Sequence, residues 1–259
     1  MATVALCTPH GAQAFPDYYR CIMEMQQHFL MHTFIHVEID TMIVSKARNA
    51  LVEASRGAKA EVIWFIDNDT LVPPDAGILV DQALKLEVVS GVYFNRRPPY
   101  APQVYERAVE AENAGMYWPL LEYPPSGLRE EHAIGAGCVC VRMDVFEKLE
   151  KVWGVKTQAA WAYLMEQTSP VGTESIASIV KGLSPWFEFL EKKGEDLYFS
   201  ERLVEAGIPI WVNWDVKCEH IGYARFSEGH FQGLYKAGLI KKIGKDVVLA
   251  EPPPEGVLP

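Results

Sequence analysis

Asp67 and Asp69 stand one residue apart, directly after the apolar run Ile63, Trp64, Phe65 and Ile66 in IWFIDNDTLVPPD. In an extended segment, residues two apart point to the same side, so both carboxylates can face one spot. Two such charges repel each other unless a cation or a proton lies between them. Oxygen-only ligands suit Mg²⁺ or Mn²⁺, and such a metal typically bridges to a diphosphate. The plainer alternative is a pair of solvated acids, or a cap on the turn before Pro73.

Glu195 and Asp196 open the helical stretch GEDLYFSERLVEAG. The helix dipole and free N–H groups favour acids there for structural reasons alone. The functional alternative is a general base, a carboxylate held in place to take a proton from an attacking hydroxyl. His220 in CEHIG is either a packed or surface imidazole, or the neutral ligand completing a metal shell begun by Asp69. A competing set, Cys138, Cys140, Cys218 and His220, has the composition of a structural zinc site, against plain core thiols. Arg48, with Lys46 near it, has the charge to neutralise a phosphate, or belongs to a solvated helix face. Gly135 and Gly137 flank Ala136 and allow close approach of a ligand to the backbone. Trp186 and Phe187 offer an aromatic platform for a sugar or acceptor, or a local cluster.

These residues need a scaffold. TVALCTP, FIHVEID, EVIWFIDND and EVVSGVYF read as strands, and the segments starting at Pro16, Val44 and Pro73 read as helices, with Asp75 as an N-cap. Alternating strands and helices up to about residue 95 predict crossover units and a mostly parallel α/β sheet. The carboxyl end of such a sheet is where ligands bind. The second half is rich in Gly and Pro and predicts antiparallel strands. Asp144 and Glu147 fit a capping box, and TQAAWAYLMEQ and TESIASIVKGL within 152–185 read as helices. GEDLYFSERLVEAG is a helix stopped by Gly207, and the Pro-rich end 246–259 predicts a mobile tail.

Taken together, ALCTPHG, SKARNALV, IWFIDNDTLVPP, VVSGVYFNRRPP, IGAGCVCVRMDVFEKL, GEDLYFSERLVEAG and CEHIG resemble the GT-A fold of nucleotide-sugar glycosyltransferases. The resemblance covers most of residues 3–222. It is greatest to the inverting family 2 group and its phage and prokaryotic relatives. It implies a Rossmann-like α/β sheet with a smaller antiparallel acceptor-side part: a donor half over 1–100, an acceptor and catalytic half over 101–245, then the tail. It further implies that Thr8 and Pro9 end the first strand at the nucleotide, and that Asp40 contacts the base. Arg48 would reach the nucleotide or its phosphates. Asp67, Asn68 and Asp69 would form the DXD motif on the donor side, with Asp69 the direct ligand of Mn²⁺ or Mg²⁺. Gly137 would line the sugar and acceptor, Asp196 would be the base beside Glu195, and His220 would join Asp67 and Asp69 as a metal ligand. The implied donor is a UDP- or GDP-sugar. Residues 152–185 depart from the pattern as an insertion, and the membrane anchor common in relatives is not seen.

The chain has 259 residues, a formal charge of −10 and 49% hydrophobic residues, enough for a sizeable core. Its acidic balance argues against tight binding to bare DNA or RNA. Five cysteines suggest no disulfide framework and a reducing, cytoplasmic setting. No leader peptide is expected from MATVALCTPHG, and no run of about 18 apolar residues predicts a membrane span. Two other functions stay open. A nucleotidyltransferase would usually carry a basic Gly-rich loop after the first strand, and CTPHGAQAF has one Gly and no Lys or Arg. A non-catalytic nucleotide-sugar binding protein would have no need for both acidic pairs.

Overall fold

The computed structural model describes residues 1–10, 15–40, 43–108, 116–154, 184, 186–190, 193–222, 225–243 and 246–249. In chain order its strands are β1 (Thr3–His10), β2 (Thr33–Asp40), β3 (Val62–Ile66), β4 (Thr70–Leu71), β5 (Val88–Val92), β6 (Val104–Arg107) and β7 (Tyr117–Pro119). They continue with β8 (Leu128–Glu131), β9 (Ala133–Ile134), β10 (Cys138–Arg142), β11 (Ile210–Lys217), β12 (Glu219–Ile221), β13 (Arg225–Phe226), β14 (Ile240–Ile243) and β15 (Asp246–Leu249). The helices are α1 (Pro16–His28), α2 (Val44–Gly57), α3 (Ile78–Leu86), α4 (144–154), α5 (Glu195–Glu205) and α6 (Glu228–Lys236). Among the described residues, no helix is long and apolar enough to cross a membrane.

One seven-stranded sheet has the order β2-β1-β3-β10-β5-β11-β8. Strands β2, β1, β3, β5 and β11 run the same way, while β10 and β8 run against them. The two halves of the chain are therefore interleaved, because β10 from the second half is threaded between β3 and β5 of the first.

The sheet is covered on both faces, which explains why β3 reads as an unbroken apolar run. All five of its residues are fully buried, as expected for a strand with helices on either side. Ile63 and Phe65 point to one core, shared with Leu51 of α2, Phe146 of α4, Phe199 of α5 and Phe231 of α6. Val62, Trp64 and Ile66 point to the other, shared with Tyr18, Ile22 and Met25 of α1 and Leu79, Val80 and Ala83 of α3. The spacing 18, 22, 25 is the apolar stripe of one helix face. Burying each large side chain contributes about 1.5–3 kcal/mol. In β11 the register shifts between Val212 and Lys217. Trp214 thus joins the first core and Val216 the second.

Several elements differ from the sequence reading. The helix expected from Pro73 begins only at Ile78, with Gly77 and not Asp75 at its N-cap. Residues 74–77 form tight turns, closed by Ala76 N–H to the Pro73 carbonyl (3.0 Å) and Ile78 N–H to the Asp75 carbonyl (3.2 Å). Asp144 does not cap a helix through Glu147; its carboxylate accepts from Arg142 Nε at 2.6 Å and pairs with Lys148 at 3.2 Å. The start of the expected tail is ordered, since β15 pairs antiparallel with β14. The two helical stretches within 152–185 lie outside the described residues. Gly207 does end α5, at a φ of +69° that favours glycine.

Gly91 lies at a closely packed point of the sheet interior. A Cβ there would lie 3.0 Å from Val216 Cγ1, 3.1 Å from Cys138 Sγ and 3.2 Å from the Val216 carbonyl oxygen. The missing side chain lets residues of β10 and β11 pack over β5. Gly91→Ala is expected to lower unfolding stability by about 1–3 kcal/mol, read as a lower urea midpoint at unchanged slope.

Candidate functional site

The site begins where β3 ends. Asp67 N–H donates to the Gly137 carbonyl (3.1 Å), and Thr70 N–H closes a turn onto the Asp67 carbonyl (2.9 Å). That turn breaks the alternation of an extended chain. Asp67 and Asp69 accordingly engage different cations, although both line one cavity. Asp67 turns to Arg48, which donates from Nη2 to Oδ1 at 2.8 Å and to Oδ2 at 3.2 Å. Asp69 turns the other way, its Oδ2 taking Arg96 Nη1 at 2.8 Å and facing His220 Nε2 at 3.2 Å.

Arg48 is a buried strut. Its side chain is 3% exposed. Nη1 donates to the Ala136 carbonyl at 3.0 Å, and Nε faces Glu195 Oε1 at 3.5 Å. The rings of Phe65 and Phe187 lie 5.6 and 6.0 Å from its guanidinium carbon, within cation–π range. One side chain thus ties α2 to the end of β3, the Gly135–Gly137 segment and the start of α5. With so little of it exposed, the side chain offers little surface to the nucleotide or phosphates expected for it. Lys46, beside it in sequence, is exposed. Burial and the neighbouring Asp69 and Glu195 push the Asp67 carboxyl up, and Arg48 opposes them.

His220 reaches Asp69 through sheet pairing. Strand β12 pairs antiparallel with β4, placing His220 opposite Thr70, and Ile221 N–H donates to the Asp69 carbonyl at 2.7 Å. Nδ1 lies 2.9 Å from the Phe94 carbonyl. A carbonyl only accepts, so Nδ1 carries the proton and Nε2 is turned to Asp69. Burial favours the neutral ring, but the Asp69 contact outweighs it and raises the His220 pKa. Burial likewise works against the Asp69 carboxylate, and His220 and Arg96 outweigh it, holding its pKa low.

Glu195 and Asp196 divide their roles. Glu195 is buried against Arg48. Asp196 folds back over Gly194, with Oδ1 accepting from Leu197 N–H at 2.7 Å. A Cβ on Gly194 would lie 2.8 Å from that oxygen. Burial, then the charge of Glu195, pushes the Asp196 carboxyl up to about 6. The phenols of Tyr93 and Tyr105 are raised by burial and by nearby carboxylates, Asp196 among them.

A cavity of about 350 Å³ opens beside these groups, lined by Asp67, Asp69, Tyr93, Asn95, Arg96, Arg97, Gln103 and His220. Five of these, Tyr93, Asn95, Arg96, Arg97 and Gln103, were not singled out from the sequence. The visible signal was the arginine pair of YFNRRPPY, directly after a buried strand in an acidic chain. The glycines of AIGAG serve Tyr93. Gly137 N–H donates to its hydroxyl at 3.3 Å, and a Cβ on Gly135 or Gly137 would lie 2.2 or 2.8 Å from its phenol atoms. Gly137 therefore seats a tyrosine that lines the cavity.

Other expected residues are placed differently. Trp186 is 5% exposed, donates from Nε1 to the Phe146 carbonyl at 3.3 Å and packs edge-on against Phe146. It is core and presents no platform, and Phe187 is fully buried with it. Thr8 is buried with its hydroxyl on Tyr18, and Pro9 is buried beside it. Asp40 is exposed at the end of β2, level with His10. Asn68 lies in the turn between the two acids and does not line the cavity. Cys138, Cys140 and Cys218 are buried core thiols, while both His220 nitrogens face Phe94 and Asp69, so the zinc set is not assembled. Among the described residues, no three His, Cys, Asp or Glu side chains are arranged to hold a metal ion. Asp69 and His220 form a two-residue donor set, with Asp67 drawn off by Arg48.

No family model matches the chain, and no curated protein does. A solved structure similar over most of its length is A197 from STIV, at 12% identity and a TM-score of 0.48, covering 97% of this chain and 95% of that one.

Two predictions follow the geometry. Gly135→Ala is expected to lose about 1–3 kcal/mol of stability by overpacking against the Tyr93 hydroxyl. Adding Tyr93→Phe removes the closest atom, so a double-mutant cycle on urea midpoints should show a favourable coupling of about 1 kcal/mol or more. Asp196 titrates near 3.8 when unfolded and about 6 when folded. Its protonated form is favoured by folding, so its contribution is full below pH 4 and is lost as pH rises through 6. Asp196→Asn should therefore stabilise the protein at pH 7–8 by up to about 3 kcal/mol, and by nothing below pH 4, measured by denaturant titration across that range.

Proposed function

We propose that the protein is a metal-dependent glycosyltransferase that moves a sugar from a UDP- or GDP-sugar to an acceptor hydroxyl, with inversion. The observation that supports it best is that Arg48 meets both Asp67 and Glu195, which brings the acids after β3 and the acids opening α5 to one part of the fold, with their second members in unlike environments. Asp69 is held ionised, paired with His220 in the cavity wall. Asp196 is half-buried near Arg48, Tyr93 and Tyr105, and its pKa is pushed up to about 6. Environments that push two carboxyls apart in this way separate an electrostatic role from a proton-transfer role. The resemblance to the GT-A fold agrees with the mixed sheet, in which five parallel strands end at the same edge.

The chemistry of the donor set fits a divalent cation only in part. Asp69 and His220 would hold Mn²⁺ or Mg²⁺, with the remaining positions left to phosphate oxygens and water. When bound, such an ion would stabilise the negative charge that develops on the leaving diphosphate. The protein's own residues do the rest. Nδ1 of His220, anchored on the Phe94 carbonyl, fixes the direction of Nε2. Arg48 holds Asp67, the segment at Ala136 and Glu195 in one relative position. With its pKa near 6, Asp196 is mostly ionised at neutral pH and basic enough to take the proton of an acceptor hydroxyl as that oxygen attacks the anomeric carbon.

Incubation with Mn²⁺ and a panel of UDP-, GDP- and dTDP-sugars should release nucleoside diphosphate. Asp69→Ala and Asp196→Asn should each lower that rate by about 10²–10⁴-fold, and kcat/KM should rise with pH through about 6 in the wild type. Pyrophosphate release from a nucleoside triphosphate would instead identify a nucleotidyltransferase. Tight donor binding, with no turnover across a broad acceptor panel, would identify a binding protein.

A further inference from the structure

Arg96 and Arg97 occupy the cavity wall; Arg96 pairs with Asp69, and neither takes part in the proton transfer above. Their positions are set by the backbone. Asn95 N–H donates to the Ala101 carbonyl (2.9 Å), Tyr100 N–H to the Arg97 carbonyl (2.8 Å) and Gln103 N–H to the Tyr93 carbonyl (2.9 Å). Arg97 N–H is received by Asn95 Oδ1 at 3.0 Å. The loop after β5 is thus a stapled hairpin and not a floppy tether. The stem of Arg96 crosses Gly222, where a Cβ would lie 3.6 Å from its Cδ. Its guanidinium ends on Asp69 Oδ2, the same oxygen that faces His220. Arg97 also lines the cavity, and among the described residues it has no ion pair with a carboxylate.

Arg96 and Arg97 bring two positive charges to this wall; Asp69 is shared between Arg96 and His220, and Asp67, the other acid lining the cavity, is paired with Arg48. A polyanion entering this wall would relieve that imbalance. Guanidinium forks match phosphate oxygens in a bidentate manner, and the side-chain amides of Asn95 and Gln103 add neutral donors. We propose that Arg96 and Arg97, with Asn95 and Gln103, form a subsite for a phosphate-bearing group, and that Arg96 exchanges Asp69 for phosphate oxygens when that group binds. Equating the group with the donor's diphosphate rests on the glycosyltransferase reading; the subsite itself stands on the cavity wall. In the absence of a metal, Asp69 competes with the ligand for Arg96 and repels it once Arg96 has moved. Asp69 therefore weakens metal-free phosphate binding, the opposite of its effect on a metal-bound donor.

The test uses the full chain in EDTA, titrated with inorganic pyrophosphate by calorimetry at low salt. Wild type should bind, and Arg96→Gln and Arg97→Gln should each weaken binding by about tenfold or more. Asp69→Asn should tighten it several-fold. Glucuronate, a carboxylate on a sugar, should not bind. Thermal unfolding curves check that these variants at the cavity wall remain folded. Unchanged affinity in both arginine variants, weaker binding in Asp69→Asn, glucuronate binding in place of pyrophosphate, or no binding by either wild type or Asp69→Asn would each overturn the proposal. Failure of the glycosyltransferase reading looks different: no diphosphate release with metal and donor, while the EDTA pattern persists.

Discussion

The buried guanidinium of Arg48 holds the site together. A charge removed from water costs several kcal/mol unless it is paired and hydrogen-bonded. This one is paired with both carboxylate oxygens of Asp67, donates to the main-chain carbonyl at Ala136 and meets the rings of Phe65 and Phe187, while its Nε makes no hydrogen bond and only faces Glu195 at 3.5 Å. These partners come from three separate parts of the chain: the end of β3, the segment at Ala136, and Phe187. Their relative positions are therefore set by one planar group whose geometry tolerates little displacement. Asp67, which heads the acidic motif, is spent on this strut, and Glu195 is buried facing it. What remains for chemistry is the second acid of each pair, Asp69 and Asp196.

That division explains how two acidic pairs acquire opposite electrostatics in one fold. Asp69 sits at the turn after β3 and meets cations from two directions, so its carboxylate stays ionised. Asp196 is folded back over Gly194, with burial and Glu195 acting together to raise it. The backbone does much of this work. Glycine at 194 gives the Asp196 carboxylate its space, and glycines at 135 and 137 give Tyr93 its space. Motifs that look like ligand-approach loops in sequence here accommodate the protein's own side chains.

Much of the scaffold was legible beforehand, for a physical reason. A strand buried on both faces must be apolar throughout, and β3 is. Helices covering such a sheet must show a stripe, as Tyr18, Ile22 and Met25 do in α1. Even Arg48 carried a signal, since it lies three and four residues before Leu51 and Val52 on the buried face of α2. Read with that stripe, it pointed inward and away from a phosphate. Trp186 carried no comparable signal: an aromatic after a proline suits a platform and a core equally.

The order of residues along the chain determined the mostly parallel α/β class, the apolar strands, the end of α5 at Gly207, and the acids placed at a strand end and a helix start. These depend on local periodicity and on φ preferences, which act over a few residues. Only the tertiary structure decided which acid meets which cation. The pairing of β4 with β12 brings His220 to Asp69 across about 150 residues of sequence, and the placement of β10 between β3 and β5 seats Tyr93 against Gly137. Such contacts arise from sheet register and from burial shared by distant segments, and no local pattern encodes them.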